Sequence, residues 1–244
     1  MLLAIDMGNS FVKWRYLTPG GEYDTARVAL QELWRAPLHH FNQRPDRVAI
    51  ANVAGDEARA MLSAAFASWQ VPVHWLAPQA DAYGVHNAYH NPVQLGVDRW
   101  LGLVAARAEI AGPCVVASIG TATTVDMLAA NGHFLGGIIV PGPDLMRSAL
   151  RQGTAAVSDA SGRWADFPRN TADAVETGTR LALCGAIERV LATLRLTTDG
   201  EEVTLLLGGG AAGRLETCLN MPHRLVDNLP LRGVQVIAEQ EGWL

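Results

Sequence analysis

One pattern, met twice along the chain, restricts the folds open to it. Residues 2–6, Leu-Leu-Ala-Ile-Asp, form a short apolar run that closes on an acidic residue. Gly8-Asn9-Ser10 follows as a turn signal, because Gly and Asn tolerate positive φ. Residues 11–16 then alternate apolar and charged side chains, the period of a half-buried strand. Pro19-Gly20-Gly21 makes the next turn, and 23–30 reads as a third strand. From Cys114 the same order returns: an apolar strand to Ile119, the small-residue turn Gly120-Thr121-Ala122, and an alternating strand over 123–129. The hairpin signal Asn131-Gly132 and a strand over 133–140 complete it. Each set runs on into a helix and a further strand. Strand, Gly turn, strand is a hairpin start, which excludes the dinucleotide-binding unit in which a helix follows the glycines.

The remaining segments fit around this repeat. Helices are predicted over 31–41, 55–69, 98–111 (stopped by Gly112-Pro113), 144–152 and 171–196. The last is the longest, with Val175, Leu181, Ile187, Val190, Leu191 and Leu194 as its apolar face. Strands are predicted over 47–53, 71–76 and 203–207. After the Gly run 208–213 come a short helix and a final strand over 233–238. Residues 77–95 carry Pro78, Gly84, Asn87, Asn91 and Pro92 and read as an irregular loop; one of that length inside a compact domain is usually functional. The expectation is an α/β protein of two domains, 1–112 and 113–244. Similar halves side by side leave a cleft facing both turns, a favoured place for ligands.

Composition narrows the function classes. The 244 residues are 49% hydrophobic and 18% charged, enough to build a full core. The net charge is −5, arginines are scattered and Lys13 is the only lysine, which argues against a nucleic-acid surface. No basic stretch precedes the first apolar run, which ends at Asp6, too soon for a signal peptide. No run of about 18 apolar residues predicts a membrane span, so a cytoplasmic protein is expected. Cys114, Cys184 and Cys218 lack metal-like spacing and read as buried free thiols.

Three stretches carry candidate chemistry. In the two Gly turns, backbone N–H groups can approach phosphates unobstructed, with hydroxyls from Ser10, Thr121, Thr123 and Thr124 nearby. Asp6 beside phosphates makes sense with Mg2+, a hard cation that bridges carboxylate and phosphate oxygens. The Gly run 208–213 lets a flat ring or a ribose lie against backbone. Asp98-Arg99 opens the helix after the loop; an Asp can accept a hydroxyl proton in phosphoryl transfer, and an Arg fork matches a carboxylate. Taken singly, each has an ordinary alternative: two plain hairpins, a plain loop, and a helix cap with an exposed Arg99.

Together the residues resemble type III pantothenate kinase, of the acetate/sugar kinase–Hsp70–actin superfamily, over nearly the whole chain. Ile5-Asp6-Met7-Gly8-Asn9-Ser10 with Lys13 resembles the first phosphate loop. Tyr89-x-Asn91-Pro92-x-x-Leu95-Gly96-x-Asp98-Arg99 resembles the pantothenate-side motif. Gly120-Thr121-Ala122-x-Thr124-x-Asp126, then Gly136-Gly137-x-Ile139-x-Pro141-Gly142, resembles the second phosphate loop and its following strand. Gly208-Gly209-Gly210-Ala211 resembles the adenosine-side Gly motif. Asn170-Thr171 resembles the stretch that reaches a partner subunit's pocket. The resemblance implies two ribonuclease H-like domains with the active-site cleft between them, a homodimer, and ATP with Mg2+. It also implies a monovalent cation (K+ or NH4+) and phosphorylation of pantothenate to start coenzyme A synthesis. Asp98 would be the base, with Arg99, Tyr89, Gly96 and Thr171 at pantothenate. Asp6, Gly8, Asn9, Ser10, Lys13, Gly120, Thr121 and Gly209 would serve ATP and its phosphates, Asp6 through the metal. One departure is Ser118, where the family has an Asp tied to the monovalent cation; Ser keeps an oxygen ligand and loses a charge. That departure also leaves open a regulatory nucleotide-binding protein, in the manner of the family's Bvg accessory factor label. His86, His90 and His133 lie near the motifs without ligand spacing and read as surface or loop residues.

Overall fold

A computed structural model describes residues 1–22, 25–154, 157 and 161–244. The chain forms two compact units, Met1–Glu109 with Asn228–Leu244, and Ile110–Asp227. The first unit opens with β1 (Leu2–Met7), β2 (Phe11–Thr18), β3 (Gly21–Glu22) and β4 (Ala26–Ala29), then α1 (Leu30–Arg35), β5 (Arg47–Asn52), α2 (Asp56–Ala67) and β6 (Val73–Trp75). β1 pairs antiparallel with β2 and parallel with β5, giving the order β3-β2-β1-β5-β6, with β4 also on β2. Of the strand expected over 23–30, Tyr23 and Asp24 lie outside the described residues, and the helix expected over 31–41 is confined to α1. Leu3, Ile5, Leu33, Phe41, Val48, Ile50, Leu62 and Phe66 fill this core.

Residues 77–95 are more ordered than the loop expected there. β7 (Asp81–Ala82) and β8 (Val85–Asn87) form a hairpin through Tyr83 (φ 53°) and Gly84 (φ 75°). Two successive positive φ values give the turn whose twist suits a two-residue hairpin. A short 3-10 turn at Pro92–Gln94 then leads into α3 (Val97–Glu109), which is buried along most of its length.

The second unit repeats the plan. β9 (Cys114–Ile119), β10 (Ala122–Leu128) and β11 (His133–Pro141) are successive antiparallel strands. After α4 (Pro143–Gly153) and α5 (Thr171–Arg195), β12 (Thr204–Gly208) lies parallel to β9 and β13 (Arg224–Leu225) parallel to β12. Within this unit the order β11-β10-β9-β12-β13 matches β3-β2-β1-β5-β6 of the first, with β10 in the place of β2. Leu183, Ile187, Leu191 and Leu194 of α5 pack on the sheet. Leu181, expected on that face, is 53% exposed, and the buried face continues instead through Glu176, Thr177 and Thr179. Cys184 and Cys218 form a disulfide, Cα–Cα 6.5 Å, between α5 and the segment after the 3-10 turn Ala212–Arg214. The expectation of three thiols therefore fails for Cys184 and Cys218, and Cys114, outside the disulfide, is buried as expected. Packing brings together two residues 34 apart, a separation without a motif.

Residues 229–240 form α6 (Leu229–Gln240), where a strand over 233–238 and a domain running 113–244 were expected. Val-Gln-Val mimics strand alternation, but the buried side chains, Leu231, Val234, Ile237 and Ala238, recur at helical spacing, and Pro230 suits a helix start. α6 returns to the first unit and lies on α3. A Cβ on Gly233 would sit 2.2 Å from the Leu101 carbonyl oxygen, so glycine is what permits this approach. No helix among the described residues is long and apolar enough to cross a membrane.

Candidate active site

In the first unit, the β1–β2 register sets Asp6 directly opposite Lys13. Burial pushes the Asp6 carboxyl up to about 6, Lys13 pulls it back, and the negative charge of Asp98 adds to the rise. The fold thus brings Asp98, far along the chain, close enough for its charge to act on Asp6 beside Lys13. Gly8 closes the adjoining turn with its N–H on the Phe11 carbonyl, 3.1 Å, and leaves Asn9 and Ser10 exposed.

Asp98 sits inside the first turn of α3, not ahead of it. Its Oδ1 accepts the Arg99 backbone N–H at 2.9 Å, while the Gly96 carbonyl takes the Trp100 N–H. Burial raises the Asp98 carboxyl, and the Arg99 N–H and guanidinium only partly offset it. A Cβ on Gly96 would lie 2.6 Å from Asp98 Oδ1; glycine there leaves room for the carboxylate. Arg99 is buried and its Nη1 donates to the Tyr89 hydroxyl at 3.0 Å, with the guanidinium 5.8 Å from the ring centre. Tyr89 is presented by a residue whose importance the sequence did not reveal. The buried Asn87 amide donates to the Pro92 carbonyl (3.0 Å) and its oxygen accepts the Tyr89 N–H (3.1 Å), fixing the loop on both sides. An Asn amid turn-formers is the one signal that could have singled it out.

In the second unit, Ser118 lies in register between Thr124 on β10 and Gly208 on β12. The Gly120 N–H bonds the Ala122 carbonyl at 3.0 Å, leaving Thr121 exposed at the turn. The buried Thr123 hydroxyl beside it has no hydrogen-bond partner among the described residues. Gly142 donates to the Thr121 carbonyl at 2.8 Å, and a Cβ there would fall 1.9 Å from the Gly120 oxygen, so only glycine admits α4 this close to the turn. Gly209 has φ 93° and packs against Ile119 at the end of β9; the Ala211 N–H bonds the Ile119 carbonyl at 3.1 Å. The structure therefore joins Ser118, Gly120, Thr121 and Gly209 around one strand end. Thr171 stands elsewhere in this unit, exposed at the start of α5. Asn170 caps that helix through the Asp173 N–H, 2.9 Å. Thr171 lines a cavity of about 300 Å³ with Arg147, Ser148 and Arg151.

His86 pairs with Asp81 at 2.9 Å, and His90 and His133 are exposed. Among the described residues no group of three His, Cys, Asp or Glu is arranged around a metal position. A hard cation held by one carboxylate and by phosphates would not require one.

Known proteins extend the comparison. The family model for type III pantothenate kinase matches residues 2–193. The chain is 43% identical to the type III pantothenate kinase of Aromatoleum aromaticum, with 99% of each chain covered. It is 40% identical to that of Nitrosomonas eutropha, covering 98% of this chain and 94% of the other. Among solved structures it is similar to a Campylobacter jejuni protein provisionally described as a Baf family transcriptional activator, at TM-score 0.63 and 21% identity over 99% and 100% of the two chains. The activator of 2-hydroxyisocaproyl-CoA dehydratase from Clostridium difficile, with bound ADPNP, aligns at TM-score 0.50 and 9% identity over 99% and 97%. These likenesses agree with a ribonuclease H-like α/β fold in both units. With the repeated sheet order, the Gly turns and the match over most of its length, the chain belongs to the type III pantothenate kinase family.

Proposed function

We infer that the protein transfers the γ-phosphoryl group of ATP to the primary hydroxyl of pantothenate, the first step of coenzyme A synthesis. The observation that carries this is the start of α3, where Gly96 leaves room for the buried Asp98 carboxylate beside an Arg99 held by the Tyr89 hydroxyl at 3.0 Å. A carboxylate freed from full ion pairing at a helix start can accept the hydroxyl proton as the oxygen attacks phosphorus. Arg99, held by Tyr89, presents its planar guanidinium to the pantothenate carboxylate. Gly96 keeps the space in which Asp98 works.

Asp6 would hold Mg2+ through its carboxylate and the nucleotide phosphates. Its fit rests on a carboxyl raised by burial and only partly offset by Lys13, with the charge of Asp98 adding to the rise, a site that a divalent cation relieves. Bound there, the metal supplies charge neutralisation on the phosphates. Gly8, Asn9, Ser10 and Lys13 would serve the phosphates from the first unit, and Gly120, Thr121 and Gly209 the nucleotide from the second. Ser118 would give a monovalent cation one neutral oxygen, so K+ activation should be weak.

Exposed Leu145 and Leu150 on α4, Leu181 on α5 and Ile139 on β11 support a homodimer through the second unit, with Thr171 reaching the partner's pantothenate. A single-chain mass in solution would remove that part of the reading. The deciding experiment is an assay with Mg2+, ATP and pantothenate, run in Na+ and in K+. Phosphopantothenate at comparable rates in both is expected; none in either would overturn the assignment.

A further inference from the structure

Glu176, on the second turn of α5, is a buried carboxylate that the kinase reading does not use. Its side chain is 3% exposed, and it is surrounded by arginines from three elements. Arg147 of α4 donates to Oε2 at 2.9 Å, and Arg180, one turn along α5, donates Nε to Oε1 at 2.8 Å. Arg214, in the 3-10 turn after the Gly run, gives Nη2 to both oxygens at 3.1 Å. Asp144, in the first turn of α4, closes the ring: it takes Arg214 Nη1 at 2.9 Å and also pairs with Arg147.

The ring joins elements that already touch the nucleotide-side turns. α4 begins at Gly142, whose N–H is on the Thr121 carbonyl. In the Gly run 208–213, Gly209 is seated on Ile119, and Arg214 follows the run directly. The loop 208–213 is thus pinned at its start by β9 and at its end by Glu176 and Asp144. Its glycines supply no side chains to hold it; its middle is held by the Ala211 N–H on the Ile119 carbonyl and by buried Ala212, and its far end by the Arg214 clamp.

We propose that Arg214, clamped by Glu176 and Asp144, is a positioning residue that sets nucleotide affinity by holding the Gly208–Gly213 loop, whereas Arg180, which bonds the Thr217 hydroxyl at 3.3 Å beyond the loop, does not hold it. This rests on reading that loop as the nucleotide side. Removing Arg214 leaves Glu176 two arginines, so the unit stays folded while the loop loses its far anchor. A bidentate ionic anchor of this kind is worth about tenfold or more in an equilibrium constant.

The test measures binding of a non-hydrolysable ATP analogue with Mg2+, and steady-state rates, for the wild type, Arg214→Gln and Arg180→Gln, with Cys184 and Cys218 kept in one redox state. Arg214→Gln should raise the analogue Kd about tenfold and leave the pantothenate KM, and kcat at saturating ATP, within about twofold. Arg180→Gln should leave the analogue Kd unchanged. Unaltered binding by Arg214→Gln, or equal weakening by both variants, would overturn the proposal, the second outcome marking a general structural effect. Should Arg214→Gln fail to fold, Arg214→Lys, which keeps the charge without the fork, is read by the same criteria. A wild type that does not bind the analogue but still makes phosphopantothenate overturns this proposal alone. One that does neither overturns the kinase reading with it.

Discussion

Two acidic sites, one in each unit, receive opposite treatment. Burial carries the Asp6 carboxyl up to about 6, Lys13 opposite it only partly offsets this, and the charge of Asp98 adds to the rise. For Glu176, burial acts in the same upward direction, but Arg180 and Arg214 more than offset it, and the carboxyl falls below its usual value. The first arrangement keeps a stretch of protein electrostatically unfinished, so that a ligand can complete it. The second is complete within the chain and serves to lock elements together. Perturbed carboxylates gather at functional sites when the shift reflects missing partners, and mark scaffolding when it reflects an excess of them.

Neutralising the first site should have the largest effect. Asp98→Asn removes the proton acceptor but keeps the shape, so turnover should drop by about 10³-fold, equivalent to about 4 kcal/mol. A thermal melt should show the fold intact. Loss of less than about threefold would move the base elsewhere, and a collapsed fold would make Asp98 a helix-start residue only.

Asp6→Asn tests the unfinished character directly. The folded carboxyl holds its proton to a higher pH than the unfolded one, so stability falls as pH rises from about 4 to about 6. Above that window the ligand-free protein carries a penalty of about 3 kcal/mol. The variant should therefore be inactive yet more stable than the wild type at pH 7.5, with the advantage gone at pH 4. Urea titrations at both pH values measure this, and equal stability at pH 7.5 would contradict it.

Glu176→Gln is the converse and the smallest of the three. It should destabilise by about 2 kcal/mol at pH 7, less than a fully sealed pair because the arginines are partly exposed. Here the folded carboxyl is depressed, so its contribution is present above the unfolded value of about 4.3 and lost as pH falls through the lower folded value. The gap between variant and wild type should narrow in urea titrations below about pH 4. A gap independent of pH would mean that packing, not charge, carries the effect.

This contrast also explains what could be read from the sequence. Asp6, Gly8, Asp98 and Arg99 stand out because each sits at a junction between an apolar run and a turn or helix start, a local signal. The duplicated strand order was legible for the same reason. The ring around Glu176 was not: its links run over 29 residues to Arg147 and 38 to Arg214, and Asp144 reaches Arg214 over 70. Nothing in a polar residue on a long helix marks it as buried until the neighbouring elements are packed. The hairpin at 81–87 was hidden because Tyr83, not the usual Asn or Asp, takes the first positive-φ position. Its ring lies 5.8 Å from that of Trp100 and its hydroxyl is 2.8 Å from Glu241, tertiary contacts that override local preference.

The return of α6 to α3 has a bearing on synthesis. The second unit is one continuous stretch, Ile110–Asp227, and can complete its own core as soon as it leaves the ribosome. The first unit cannot: Leu231, Val234 and Ile237, and the close seat of Gly233 on Leu101, arrive only after the whole second unit. Until then the helix that carries Asp98 and Arg99 has an apolar flank without its cover. A chain cut short before Asn228 would thus display a finished second unit and an exposed α3, a surface for quality control to recognise and not a half-active enzyme.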